Sequence, residues 1–225
     1  MKIDVLDVGF VQYVDHMGSD IDVANAARVS FHKESVLEKD GSLSERDAKL
    51  IRYLARHNHF TPLAQVNLKL RIKLPIFVAR QLMRSNIGIV WNEVSRRYVD
   101  TPPEFYIPKE WRSRPEGGLK QGSGKGIKYS PLYEYGVEKY ALSEYNNMLK
   151  KGVAPEMARM VLPQSTYTEV IGNFTLAALA RVCALREDSH AQVEIQRYAR
   201  AMGEIAKEYF PVSWEALTGG TNAQP

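Results

Sequence analysis

Apolar and polar side chains alternate most regularly over a stretch in the first half of the chain. Its apolar members are Val66, Leu68, Leu70, Ile72 and Leu74, each separated from the next by one polar or basic residue. Because successive side chains of a strand point to opposite faces of a sheet, this two-residue period predicts a half-buried strand.

The rest of the first half shows weaker patterns. They predict strands on either side of Gly9 within residues 2–14, a helix over Val23–Val29 capped by Asp20 or Asp22, and a helix that opens at Ser42–Arg46. Pro75 follows the clearest strand, and its fixed φ angle favours the first position of a further helix.

Helical spacing dominates the second half. It predicts helices over Pro131–Lys151, Pro155–Leu162, Thr168–Leu185 and Ser189–Phe210. The last of these is expected to begin with a capping box, Ser189 and Gln192, and to stop at Pro211. Residues 112–128 are rich in glycine and basic side chains, which favours a flexible loop, and residues 218–225 are expected to form a disordered tail.

Length and composition fit one domain over residues 1–225 that buries a sizeable core. The 44% hydrophobic and 25% charged residues are typical of a globular protein. The net charge of +4 comes from bases scattered among nearly as many acids, which favours a local anion site and argues against a nucleic-acid partner. No apolar run approaches the roughly 20 residues of a membrane span, and the N-terminal residues lack the layout of a signal peptide, so we expect a cytoplasmic protein without a membrane partner.

The most informative segment runs from Arg80 to Tyr98. It holds four arginines together with Gln, Asn, Ser and Glu side chains. Arginine presents a fixed fork of donors that suits phosphates and carboxylates, while amides, a hydroxyl and a carboxylate suit the edge of a heterocyclic base. The segment therefore predicts a pocket for an anionic nucleotide. The alternative is a solvated helix face followed by a salt-bridged loop.

The helix predicted after Pro75 sharpens this interpretation. At helical spacing Arg80, Gln81 and Arg84 fall on one side, and Phe77 lies among them. A mixed face of this kind favours the wall of a pocket over a free surface.

Two further places carry candidate anion-binding arginines. Arg186 precedes the last predicted helix and His190 lies in its first turn, where backbone donors favour an anion. The alternatives are an ion pair of Arg186 with Glu187 or Asp188, and a solvated imidazole at His190. Arg159 lies between apolar residues of a predicted helix, where the default is a side chain that extends along the surface to keep its charge in water.

The remaining histidines and the single cysteine point away from metal and thiol chemistry. His57 and His59 lack nearby carboxylate or cysteine partners, so exposed imidazoles in a turn are favoured over a metal site. One cysteine, Cys183, excludes an intramolecular disulfide and a Cys-based zinc cluster. Its apolar helical surroundings favour a small buried hydrophobe over a nucleophile. We therefore expect no metal.

These places coincide with a resemblance that covers nearly the whole chain. The segments that carry it are MKIDVLDVGF, AARVSF, HNHFTPLAQ, PIFVARQLMR, NEVSRRY, EFYIP, ARMVLP, LREDSHAQVEIQ and the terminal helix. Through them the chain resembles the flavin-dependent thymidylate synthases. The signature of that family, Arg-His-Arg followed by a spacer and Ser, corresponds here to Arg84-Ser85-Asn86 and Ser95.

The resemblance implies an α+β fold, in which helices surround a twisted, mainly antiparallel sheet, and a homotetramer with active sites shared between subunits. It implies methylation of dUMP at C5 to give dTMP, with methylenetetrahydrofolate as carbon donor and FAD, reduced by NADPH, as the source of the hydride. The other class of thymidylate synthase attacks C6 of the base with a cysteine. The burial expected for Cys183 therefore agrees with the flavin route.

The resemblance also implies roles for individual residues. Those implied around the nucleotide are Gln81, Arg84, Glu93, Val94, Ser95, Arg96, Arg97, Arg159 and Arg186, with Val94 and Arg96 acting through backbone donors. Those implied near FAD are Ser30, Thr61, Arg84, Asn92 and Glu93, with His59 and His190 close to the flavin and folate. Ser95 and Arg186 are the implied catalytic residues. A fixed charge at Arg186 facing the pyrimidine favours its ionised form at N3 and activates C5.

The departures from the family lie on the flavin side. Ser85 and Asn86 replace the His and Arg of the signature, and the spacer that follows is one residue longer. Farther along, Thr175, Ala177 and Arg181 replace an Asn-x-Arg pair and a later Asn of the family. Three alternatives stay open: a flavin held by other contacts such as Arg181, a different cofactor or C5 product such as a hydroxymethyl group, and a catalytically silent nucleotide-binding protein.

Overall fold

The computed structural model describes residues 1–99, 101–115, 122–128 and 136–219. The strands of this part are β1 Lys2–Val5, β2 Gly9–Met17, β3 Asn67–Pro75, β4 Ile89–Glu93, β5 Trp111–Arg112, β6 Gly126–Ile127 and β7 Tyr167–Thr175. The helices are α1 Asp20–Arg28, α2 Glu45–Arg56, α3 Phe60–Leu63, α4 Ile76–Leu82, α5 Val137–Lys150, α6 Pro155–Ala158, α7 Leu176–Glu187, α8 Val193–Tyr209 and α9 Pro211–Thr218.

The strand with the clearest alternation, β3, is the central strand of a five-stranded antiparallel sheet in the order β1-β2-β3-β7-β4. It pairs with β7 from Asn67 opposite Thr175 to Pro75 opposite Tyr167. On the other side of β7, β4 begins at Ile89 opposite Phe174. We call the end of the sheet where β3 begins the Asn67 end, and the end where it finishes the Pro75 end.

The two faces of this sheet have different surroundings. The inner face carries the apolar members of β3, which are fully buried, together with Phe174 of β7. Helices α7 and α8 belong to the same apolar core through Leu179 and Tyr198, and α9 adds Trp214. The opposite face, which we call the open face, carries the basic residues of β3 and an exposed Ile171. The α+β fold with an antiparallel sheet and surrounding helices is therefore confirmed.

The helix predicted over Thr168–Leu185 is wrong in its first half, which is strand β7. Thr168, Val170, Gly172 and Phe174 are buried, and the residues between them are not. This period of two belongs to a strand, and β-branched and aromatic side chains favour it. The helix starts only after Thr175, whose hydroxyl accepts a hydrogen bond from the N–H of Ala178 at 3.3 Å.

Several predicted helix ends also need correction. Helix α1 starts at Asp20 with Ser19 as its N-cap, and Asp20 instead accepts hydrogen bonds from Val212 and Ser213 at the start of α9. Pro75 is the last residue of β3 and the N-cap of α4. The capping box predicted at Ser189 is wrong, because α8 begins at Val193 with Gln192 as its N-cap.

Other predicted boundaries also differ from the structure. Short strands can pair where the composition suggests a loop, and a turn can end a helix that the pattern predicts to be longer. The flexible loop predicted for residues 112–128 is wrong in part, since β5 and β6 pair within it, and residues 116–121 lie outside the described residues. Strand β4 and helix α9 had no predicted counterpart, and Pro211 opens α9. The helix predicted from Pro155 divides into α6 and a 3₁₀ turn, Arg159–Val161. Residues 129–135 and 220–225, including most of the predicted tail, also lie outside the described residues.

Candidate active site

Arg186 occupies the last turn of α7, and not the approach to a helix N-terminus as predicted. Its Nη2 donates to the backbone carbonyl of Gln81 at 2.5 Å. Its Nε is buried and has no hydrogen-bond partner in the described part of the chain. A buried donor of this kind is costly unless a ligand satisfies it.

Burial and a second cation dominate the charge environment of Arg186 in the described part of the chain. Burial lowers the pKa of the Arg186 guanidinium first, and the positive charge of Arg84 lowers it further. An arginine stays charged despite such a shift, so two cations act on each other here. An anion between them would relieve both the repulsion and the burial.

A pocket of about 450 Å³ opens beside Arg186. Its lining residues are Gln81, Arg112, Gly122, Ser123, Arg186, His190, Ala191 and Gln192. The side chain of Gln81 is oriented by its bond from Nε2 to Oε1 of Gln192 at 2.6 Å. We call this cavity the Arg186 pocket. Its size falls within the range of small-molecule sites.

His190 lies in the turn between α7 and α8, and not in a first helical turn as predicted. Its backbone N–H donates to Oδ1 of Asp188 at 2.7 Å, and its Nδ1 lies 2.9 Å from the same oxygen. Asp188 therefore orients the imidazole of His190. This contact differs from the alternative prediction, in which Asp188 pairs with Arg186. Hydrogen bonds from His190 lower the pKa of the Asp188 carboxyl.

The candidates at the end of β4 and just after it are fixed by local contacts at the Pro75 end. Oε1 of Glu93 accepts from the hydroxyl of Thr168 at 2.7 Å, on the inner face of the sheet. The backbone N–H of Val94 donates to the carbonyl of Glu169 at 2.9 Å, so the donor role predicted for Val94 is already used within the chain.

The serine and the two arginines that come next in the chain are also paired locally. Oγ of Ser95 accepts from Nε of Arg97 at 3.3 Å, and Arg96 donates to the carbonyl of Thr101 at 2.9 Å. Arg159 is exposed, and its Nε donates to the carbonyl of Glu156 at 3.2 Å. None of the three arginines lines the Arg186 pocket.

Three of the candidates for the flavin side, Ser30, His59 and Thr61, lie near the Asn67 end. Ser30 belongs to the 3₁₀ turn after α1, His59 is the N-cap of α3, and Thr61 lies within α3. Helix α3 packs against both α1 and α7. Asn92 points to the open face, opposite to Glu93, since neighbouring residues of a strand alternate. Ser30, His59, Thr61 and Asn92 do not line the Arg186 pocket of the same chain.

The segment that departs from the family signature is held to the start of α7. Nη2 of Arg181 donates to the carbonyl of Ile87 at 2.7 Å. The N–H of Thr175 donates to the carbonyl of Gly88 at 2.9 Å. Gly88 has a φ of +75°, and a Cβ there would lie 2.7 Å from Oγ1 of Thr175, so this turn requires glycine. Arg181 is engaged with this loop within the chain.

Arg112 and Ser123 are pocket residues that sequence reasoning missed. They come from the segment expected to be a loop, where composition carries no signal of a pocket wall. Gln192 was expected only as a capping residue.

The two histidines that precede α3 lie in an exposed turn. The ring centroids of His57 and His59 are 6.3 Å apart. No cluster of three His, Cys, Asp or Glu side chains suited to a metal ion occurs within the described ranges. No helix in the same ranges is long and apolar enough to cross a bilayer.

Cys183 is buried within α7, and its Sγ donates to the carbonyl of Ala199 at 3.4 Å. Burial, with a smaller effect of Glu187, raises the pKa of this thiol. We expect it to react with Ellman's reagent on the order of a thousandfold more slowly in the folded protein than in urea, because the thiolate forms only after opening of the core. A variant with an added exposed thiol, Ser143→Cys, is the control and should react at once. Rapid labelling of Cys183 in the folded protein would contradict the buried, inert assignment.

Comparison with known proteins gives consistent results along the whole chain. The family profile described as thymidylate synthase complementing protein matches residues 12–212. A flavin-dependent thymidylate synthase of Kosmotoga olearia is 41% identical over 96% of this chain and 93% of its own length. One from a strain of Thermus thermophilus is 42% identical over 96% of this chain and 78% of its own length.

Two solved structures share the fold at 30% identity. Both are described as a UMP/dUMP methylase, PolB, from Streptomyces cacaoi. The complex with 5-Br dUMP has a TM-score of 0.83 and covers 99% of this chain and 100% of that one. The complex with 5-Br UMP has a TM-score of 0.75 and covers 99% of each chain.

Proposed function

The chain belongs to the flavin-dependent thymidylate synthase family, and from this premise we propose that it methylates dUMP at C5 to give dTMP with a bound flavin. The observation that carries the proposal is the Arg186 pocket, where a partly buried guanidinium with a buried, unpaired Nε lies under the influence of a second cation, Arg84. A uracil ring that becomes negative at N3 satisfies both features, because its charge pairs with Arg186 and its polar edge takes the free donor.

The residues of the pocket have separable tasks in this proposal. Arg186 stabilises negative charge on the pyrimidine and so raises the electron density at C5. Gln81, held by Gln192, fixes the orientation of the base edge. The charge of Arg84 is available to the nucleotide phosphate or to the cofactor. Glu93, Ser95, Arg97 and Arg159 belong to the nucleotide side by family resemblance.

The residues at the Asn67 end fit a flavin on the chemistry of the side chains present. Ser30 and Thr61 have exposed hydroxyls that can donate to phosphates or to a ring edge. Phe31, Phe60 and Ile87 expose 74%, 61% and 79% of their surfaces, and such apolar side chains suit a planar ring system. When bound, the flavin supplies the hydride that completes the methyl group. We assign FAD as this flavin, held by Ser30, Thr61 and Asn92 with His59 and Arg84 nearby.

We further propose a homotetramer with active sites shared between subunits. The support is that Ser30, His59 and Thr61, near the Asn67 end, do not line the Arg186 pocket of their own chain. A reaction between flavin and nucleotide requires contact, so a second copy must bring its Asn67 end to the Arg186 pocket. Light scattering during gel filtration tests the assembly, and a monomer that turns over would contradict it.

Methylenetetrahydrofolate as carbon donor and NADPH as reductant complete the proposal, because methylation of C5 from a methylene group requires both a carbon source and a hydride. His190, at the mouth of the Arg186 pocket, is the residue we assign to the folate side. We place the reaction in the cytoplasm, where these cosubstrates are available, with no nucleic-acid partner.

The test uses the purified protein with tritium at C5 of dUMP, methylenetetrahydrofolate and NADPH, with and without added FAD. We expect tritium release and dTMP, both dependent on FAD, with a flavin absorption band in the loaded protein. Absence of dTMP and of flavin absorption under every condition would contradict the proposal. A hydroxymethyl product by mass spectrometry would favour the altered C5 chemistry, and binding of dUMP without tritium release would favour a silent homologue.

A second candidate function is methylation of UMP in addition to dUMP. It is favoured by the two solved structures, which are described as a UMP/dUMP methylase and hold the 5-bromo derivatives of both nucleotides. Paired assays with each nucleotide at equal concentration test it. Conversion of dUMP alone would exclude the second candidate and leave the first intact.

A further inference from the structure

The two short strands β5 and β6 form an arm that is anchored to the start of α8. Nη2 of Arg112 lies 2.8 Å from both carboxylate oxygens of Glu194. The side chains of Arg112 and Glu194 are only 24% and 4% exposed. Tyr106 adds a hydrogen bond from its hydroxyl to Oε1 of Glu194 at 3.2 Å. A charge-assisted contact with this degree of burial is stronger than a surface ion pair.

The ionised state of Glu194 is stable in this arrangement. Burial alone would raise the pKa of its carboxyl, but the hydrogen bonds and charge of Arg112 outweigh that effect and hold the pKa below its usual value. Arg112 thus compensates a buried carboxylate, and Glu194 in turn fixes the guanidinium of Arg112.

The same guanidinium reaches across the arm to the wall of the Arg186 pocket. Nε of Arg112 donates to Oγ of Ser123 at 2.7 Å. Gly122, which precedes Ser123, lies close to the turn before α8. A Cβ on Gly122 would be 3.5 Å from the carbonyl oxygen of His190. Backbone bonds join the two strands, from the N–H of Ser113 to Lys125 and from Gly124 to Ser113, both at 2.9 Å.

The residues so anchored are part of the pocket itself. Arg112, Gly122 and Ser123 line the Arg186 pocket together with Gln81 and His190, so the arm forms part of the pocket wall. We propose that Arg112, clamped by Glu194, is a positioning residue that sets the nucleotide affinity of the Arg186 pocket by holding the arm as its wall. This inference rests on the proposed function and names how the nucleotide site is built.

The main test is the double variant Arg112→Ala/Glu194→Gln, measured for dUMP binding by calorimetry. Removing Arg112 alone would leave a buried carboxylate unpaired and endanger folding, whereas the double variant leaves no such charge. We expect dUMP to bind about tenfold more weakly, with a melting temperature within a few degrees of wild type and unchanged FAD binding. Amide hydrogen exchange at Ser113 and Gly124 should become faster, and dUMP should slow it in the wild type only.

Matched variants separate positioning from general stability. Arg112→Lys keeps the charge but not the planar guanidinium that bonds to Glu194 and Ser123 at once, so we expect intermediate dUMP affinity. Arg52→Ala breaks an exposed ion pair with Glu45 far from the pocket and should leave binding unchanged. A folded double variant that binds dUMP as tightly as wild type would overturn the inference, while the proposed function would stand. A wild-type protein that binds no dUMP would overturn the proposed function itself.

Discussion

Arg186→Ala is expected to lower kcat by about two to three orders of magnitude while raising KM for the nucleotide only severalfold. In the proposed function, the guanidinium acts mainly on charge that develops at the pyrimidine during the reaction, and less on the ground-state nucleotide. The measurement is steady-state dTMP formation at saturating flavin, with the nucleotide Kd determined separately.

Two further variants make this result specific. Arg186→Lys keeps a positive charge without the planar fork, so it should recover part of the lost kcat. Arg200→Ala, on α8, removes an exposed arginine that bonds to Gln196 at 3.1 Å, and its kcat should stay near wild type. If Arg186→Ala turned over at a near-normal rate, the assignment of Arg186 to the pyrimidine would be wrong.

The second large effect concerns the buried ion pair that holds the segment around Ser30. Asp47 is 3% exposed and accepts hydrogen bonds from Arg28 and from the hydroxyl of Ser35 at 2.9 Å and of Ser44 at 2.7 Å. Asp47→Ala leaves the Arg28 guanidinium buried without its partner. We expect a loss of about 3–5 kcal/mol in the free energy of unfolding, measured in urea.

The control for this prediction lies in the same helical turn. Glu45→Ala breaks the exposed pair with Arg52, and we expect a cost of at most about 1 kcal/mol. Equal losses in the free energy of unfolding for the two variants would show that burial does not increase the contribution of Asp47.

Asp47 also gives the protein a pH dependence with a defined sign. Burial alone would raise the pKa of its carboxyl, but bonds from Ser44, Arg28 and Ser35 outweigh it, so the pKa in the folded state is below its ordinary value. The stabilisation is therefore complete above the unfolded pKa of about 4 and is lost as the pH falls through the lower folded value. Urea unfolding below pH 4 should show a larger loss in wild type than in Asp47→Ala, which lacks this contribution.

The sequence predicted those parts of the fold in which local pattern and tertiary surroundings agree. Strand β3 alternates strictly, and its apolar members are buried as predicted. Strand β7 was mistaken for the start of α7, because its apolar residues are continuous with those of the helix and Thr175 marks the change only through its cap. Periodicity cannot separate a buried strand from a buried helix when one follows the other without a break.

The sequence predicted some residues of the Arg186 pocket and missed others, because local pattern does not report distant contacts. Gln81, Arg186 and His190 were named from the sequence, and they line one pocket. Arg112 was not named, because its role depends on Glu194, which is 82 residues away in the chain. No local pattern reports a contact over such a separation.

The loop that replaces the family signature has freedom in its side chains. In the described part of the chain, the bonds that fix this loop use its backbone: Ile87 accepts from Arg181, Gly88 from Thr175, and the N–H of Ser85 donates to Leu82. The side chains of Ser85 and Asn86 take no part in these bonds. Substitutions at these two positions therefore leave the backbone bonds of the loop in place. The side chains can change toward a different ligand one residue at a time while the same backbone bonds hold the loop.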